Sequence, residues 1–204
     1  NSEQVTASLV FVGYGINAPE YDHNDYSEIE VKDKILVVLS GAPPRFNTAQ
    51  RAYYSSGRVK SELATELGAL GIITIRTPVD QRRRAWKRYL PGIGAPGMRW
   101  LNEDGTVYQG FVKLRGSALM SDTGAKKMFG FSDHDIDQIF TFHENGGIGS
   151  FDMGITATLS RESIKREVFS SNVIGYIEGS DNDLKKEYLV FSSHLDDLGI
   201  RGEK

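Results

Sequence analysis

Two short apolar runs constrain this chain most: residues 35–39 (Ile-Leu-Val-Val-Leu) and residues 72–75 (Ile-Ile-Thr-Ile). Each predicts a strand, and 35–39, apolar on both faces, predicts a central one. Between them Val59, Leu63, Leu67 and Leu70 recur at helical spacing, with Lys60, Glu62 and Glu66 facing elsewhere. Gly71 stands where a helix C′ residue belongs. Strand, helix and strand in that order predict a βαβ-like unit with its helix against one sheet face.

The flanks extend this pattern. Residues 8–14 predict a further strand, running into the turn Gly13-Tyr14-Gly15. Residues 17–27 are polar and turn-rich. Residues 76–110 are irregular, with Arg82, Arg83, Arg84, Lys87 and Arg88 set among Trp86 and Tyr89. In an acidic chain this run reads as a solvated turn and surface loop, not as a nucleic-acid surface. Asn102 to Gly105 predicts a hairpin turn. After a strand at 113–120, Ser121 and Asp122 predict an N-cap, with Ala125, Met128 and Phe129 on one helix face and Gly130 closing it. A second helix, with Ser132 and Asp135 as its capping box, carries Ile136, Ile139 and Phe140 inward. His134 and His143 read as surface or helix-end residues. The glycine cluster at 144–149 predicts a linker, and residues 154–159, 172–177 and 188–191 predict three strands of a second, helix-free region.

The last of these runs leads directly into chemistry. Ser192 and Ser193 follow it, and then His194, Asp196 and Asp197 arrive where the strand should stop. In open α/β sheets, ligands sit outside the carboxyl ends of strands. An imidazole there can ligate a metal, and a carboxylate two residues on can orient that imidazole. The chain has no cysteine among its 204 residues, so any metal must use His, Asp or Glu. A net charge of -3 gives no case for nucleic acid or an acidic membrane. No apolar run approaches the ~20 residues that span a bilayer. Asn1 and Lys204 read as boundaries inside a longer protein.

Two stretches together resemble known families. Residues 10–15, the Asp25-Tyr26 turn, residues 31–38 and the segment 64–75 resemble the protease-associated (PA) domain, a β/β/α module of the swivelling type. Residues 170–180 (Ser-Ser-Asn-Val-Ile-Gly-Tyr-Ile-Glu-Gly-Ser) followed by 187–199 resemble the opening of the catalytic domain of di-zinc aminopeptidases, relatives of glutamate carboxypeptidase. The resemblance implies an α/β chain: a PA-like domain at 1–148, then the first strands of a truncated zinc-exopeptidase sheet at 149–204. It implies that His194 ligates one of two zinc ions and that Asp196, the catalytic residue carried over, orients that ligand. Asp197 receives no role. The other ligands and the general base are implied beyond Lys204, so this stretch alone is expected to be inactive. Also implied are peptide substrates, an extracytoplasmic location and a possible homodimer. The alternative is a non-catalytic binding or scaffold homologue of the same architecture.

Overall fold

In the computed structural model the described residues are 2–93, 97–106, 108, 111, 113–144, 149–164 and 166–194. They fall into two units, Asn1–Ile164 and Lys165–Lys204.

The first unit runs β1 (Ser2–Phe11), β2 (Asn17–Ala18), β3 (His23–Asn24), β4 (Ile35–Leu39), α1 (Thr48–Tyr54), α2 (Gly57–Glu66), β5 (Gly71–Ile75), α3 (Pro78–Arg83), α4 (Leu90–Ile93), β6 (Gly116–Met120), α5 (Asp122–Phe129), α6 (Ile136–Glu144) and β7 (Phe151–Glu162). Five strands form a mixed sheet in the order β6-β5-β4-β1-β7. β1, β4, β5 and β6 are mutually parallel, and β7 runs antiparallel to β1.

The unbroken apolar run of β4 follows from its central place. Ile35, Val37 and Leu39 join the core built by α5 and α6, with Phe129, Ile136, Ile139 and Phe140. Leu36 and Val38 point the other way, into a second core with Val10, Val12, Ala64 and Ile72. Each such side chain contributes about 1.5–3 kcal/mol on full burial. α5 is capped as its sequence implies: Ser121 Oγ accepts from Gly124 N at 3.0 Å, and Gly130 ends the helix. At α6 the expected capping box is replaced. The Asp135 carboxylate accepts from Asp137 N at 2.8 Å, and Ser132 Oγ instead serves the turn before it.

α2 departs from the expected helix. Its buried face is Lys60 and Ala64, while Leu67 is exposed. The left-handed residue after the helix is Gly68, with φ +81°, and Gly71 opens β5 instead. Ala64 has no side chain beyond Cβ, so α2 sits close on the sheet and the long Lys60 stem fills the space beside it.

The expected boundary at 148 is also corrected. β7 pairs with β1 from Ser2↔Glu162 to Phe11↔Phe151, and Ile155, Ala157 and Leu159 pack on the core under α5 and α6. The first unit therefore continues to Ile164. The glycine cluster and the helix-free stretch after it suggested a new domain, but the alternating burial of β7 is the signature of a half-covered edge strand. A register break between Ser8 and Val10 bends this pair, and the sheet curls until Leu159 lies over Gly71 and Gly116.

In the second unit the expected strands at 172–177 and 188–191 are not formed. Its described residues carry one 3-10 turn, Leu184–Lys186, ordered by the Asp181 carboxylate, which accepts from Asp183 N and Leu184 N. Ile174, Ile177 and Phe191 are 89%, 98% and 88% exposed. A run apolar on both faces needs neighbours on both faces to become a strand. None is supplied among the described residues, so the zinc-exopeptidase sheet is not built here.

Candidate functional site

His194 is exposed at the end of the described part of the second unit, two serines after the apolar run 188–191. Asp196, Asp197 and the side chain of His143 lie outside the described residues, as does the linker 145–148. Among the described residues, no three His, Asp or Glu side chains gather to hold a metal. A zinc site needs three or four protein donors. The described residues offer one candidate imidazole, so the donor set for zinc is incomplete and no metal-assisted step follows from them.

The first unit places its polar groups at the carboxyl ends of β4 and β5. The Lys60 ammonium, only 3% exposed, donates to Leu39 O at 2.8 Å and Gly41 O at 2.7 Å and lies over the Tyr14 ring. Ser40 Oγ, between those two carbonyls in the chain, donates to the Asp80 carboxylate. Asp80 Oδ2 also accepts from Thr77 N at 3.2 Å and Thr77 Oγ1 at 3.0 Å, which closes a capping box at the start of α3. Arg76 is buried and donates to the carbonyls of Asp80 and Arg84 and to Gln81 Oε1. These groups tie the loop after β4 to the loop after β5 through bonds to protein acceptors.

Burial pushes the Lys60 ammonium down to about 7, against the opposing pull of Asp25 and Asp80. Lys60 of the unfolded chain keeps its proton to about pH 10.5. Between those values the unfolded state binds more protons, so stability rises with pH across the window and is lost as pH falls towards 7. Urea unfolding at pH 7, 8, 9 and 10 should show this rise, up to about 1.4 kcal/mol per unit from one group. Lys60→Met should flatten it. An identical slope in the variant would assign the pH dependence elsewhere.

A second cluster organises the Gly13-Tyr14-Gly15 turn. Asp25 Oδ2 accepts from Tyr14 N and Ile16 N, both at 3.0 Å. Gly13 adopts φ +49°, and a Cβ there would lie 2.6 Å from Asp25 Oδ1, so the turn admits no larger residue. His23 Nε2 lies 3.1 Å from Asp25 Oδ2 but out of line for a hydrogen bond. Arg45 holds the same loop, donating to Tyr21 O and Asp22 O at 2.8 Å and meeting His23 Nδ1 at 3.2 Å. Since guanidinium only donates, Nδ1 accepts and Nε2 carries the proton. The Tyr26 hydroxyl is buried without a hydrogen-bond partner among the described residues, and burial first, then the Asp25 charge, drive its pKa up.

His134 borders an open cleft of about 440 Å³ with Asp133, Asp135, Asp137 and Lys126. Its ring stacks on Phe151 at 3.6 Å, and Lys126 pairs with Asp137 at 2.8 Å. The expectation of a surface residue thus agrees with its place before α6. Sequence reasoning passed over Lys60, Arg76 and Asp25. For Asp80 a signal existed: Thr77-Pro78 followed by an acidic residue at N3 is a helix start.

These residues define a mixed α/β protein whose polar network lies at the carboxyl ends of a curled sheet. No family model matches the chain, and no curated protein matches it. Among solved structures it is similar to an aminopeptidase from Aneurinibacillus sp. strain AM-1, at a TM-score of 0.31 and 16% identity. That match covers 78% of this chain and 28% of the aminopeptidase, so the chain spans under a third of its length.

Proposed function

We propose that this chain is part of a longer zinc-dependent exopeptidase of the aminopeptidase type. The observation that carries the reading is the stretch 187–199, where an apolar run leads through two serines to His194 with Asp196 two residues on. In this reading His194 ligates one of two zinc ions and Asp196 orients its imidazole. The remaining ligands and the general base come from residues after Lys204, and the exposed runs at 172–177 and 188–191 become strands when that part of the protein covers them. The PA-like part has no chemistry of its own; it caps or shapes the cleft, or mediates contacts such as a homodimer. The substrates are peptides and the location is extracytoplasmic.

The test uses the longer protein, with metal analysis beside hydrolysis of an aminoacyl-anilide. His194→Ala should abolish turnover and empty one zinc site. Asp196→Asn should cost about 10 to 100-fold in activity or affinity while most metal stays bound. Asp197→Asn should be mild. Full metal content and normal turnover in His194→Ala would leave the 194–197 cluster a polar turn. A zinc-loaded wild type without hydrolysis would favour the binding homologue.

A further inference from the structure

The connection from β5 to β6, residues 76–115, holds nine Arg or Lys residues against three acidic ones in a chain whose net charge is -3. The rest of the chain is therefore strongly acidic, and the basic charge is concentrated in one connection. One of its three carboxylates, Asp80, is engaged by Ser40 and Thr77.

The turn at 82–89 is built as a platform. Arg76 and Arg84 lie over the Tyr89 ring at 4.3 and 4.4 Å, Trp86 stacks on Tyr89, and Arg84 donates to Arg88 O at 2.9 Å. The side chains left on its surface are Arg83, Lys87 and Arg88. All three are exposed, and none forms an ion pair among the described residues. Further along, Trp100 stacks on Tyr108 at 5.3 Å across the hairpin turn.

We propose that this basic surface, centred on Arg83, Lys87 and Arg88, binds short acidic peptide segments. Guanidinium groups match carboxylates in bidentate geometry. Within the turn, arginine covers the Tyr89 ring and Trp86 stacks on it, so the patch offers no open aromatic platform for unpaired bases. A long polyanion or an anionic bilayer would also meet the acidic remainder of the chain. A short acidic segment spans only the basic patch, and screening over about 8 Å at physiological salt hides the rest. If the peptidase reading holds, the surface biases the enzyme towards acidic peptides; the binding itself does not rest on that reading.

The test is fluorescence anisotropy on the full 204-residue chain with a labelled hexaglutamate peptide, at low and physiological salt. A Gly/Ser peptide, a single-stranded oligonucleotide and phosphatidylserine vesicles are the comparators. Hexaglutamate should bind most tightly and weaken with salt. The combined substitution Arg83→Glu, Lys87→Glu and Arg88→Glu should weaken it by about tenfold or more, with unchanged circular dichroism. Equal binding by the variant, or tighter binding of the oligonucleotide or vesicles, overturns the proposal. No turnover is read here, so an inactive longer protein leaves this result standing, and a failed peptide titration leaves the His194 test untouched.

Discussion

Asp25→Ala should lower the stability of the first unit by about 3 to 5 kcal/mol, enough to shift thermal unfolding on the order of 10 °C. The carboxylate accepts from the amides of Tyr14 and Ile16, which belong to buried residues in the turn after β1. Without it, two donors stay buried with no acceptor, at about 1–3 kcal/mol each. Asn24 and Ser150 anchor the same turn, Asn24 through Tyr26 N and Ser150 through Asp25 O, but neither reaches those amides. Asp25→Asn keeps an amide oxygen in the same place and should recover much of the loss. The Tyr26 phenol gives a second readout. Part of its upward shift comes from the Asp25 charge, so its titration should move down in both variants. An Asp25→Ala protein as stable as wild type would mean the turn is held by other groups.

The second large effect is expected at Gly116. A Cβ built there lies 2.8 Å from Leu159 Cβ, across the curled face of the sheet. Gly116→Val therefore forces β6 and β7 apart and should cost about 3 kcal/mol, at the upper end of overpacking penalties. Leu159→Gly removes the obstacle, Cβ included, at the expense of its own packing. In the double variant the two costs should fall short of their sum by about 1 kcal/mol or more, since both act on one contact. Strict additivity in chemical denaturation would show that β7 does not fold over β6 in solution.

Several elements were legible because their signals are local. The run at β4 announced a strand with both faces covered, Ser121 announced the start of α5, and Asn102 to Gly105 announced a turn, seen in Asn102 N donating to Thr106 O at 2.7 Å. α1 was missed although Asn47 and Gln50 form a capping box, because its apolar positions are few and none is fully buried. α2 was read on its leucines and turned out to bury Lys60. Helical spacing gives two or three candidate stripes, and only the distance to the sheet selects one.

For the candidate site the division is sharper. The residues that could carry chemistry at 194–197 are visible in sequence because strand, serines, histidine and aspartate are consecutive. Lys60, Arg76 and Asp25 come from separate stretches and meet only when the sheet is assembled. The sequence alone marked β4, β5, β6, α5 and α6, since propensity, capping and short apolar runs act within a few residues. The tertiary structure alone decided that β7 belongs with β1, that Leu159 closes over Gly116, and that runs 172–177 and 188–191 stay exposed. Pairing is a property of two segments, and no run of residues contains its own partner.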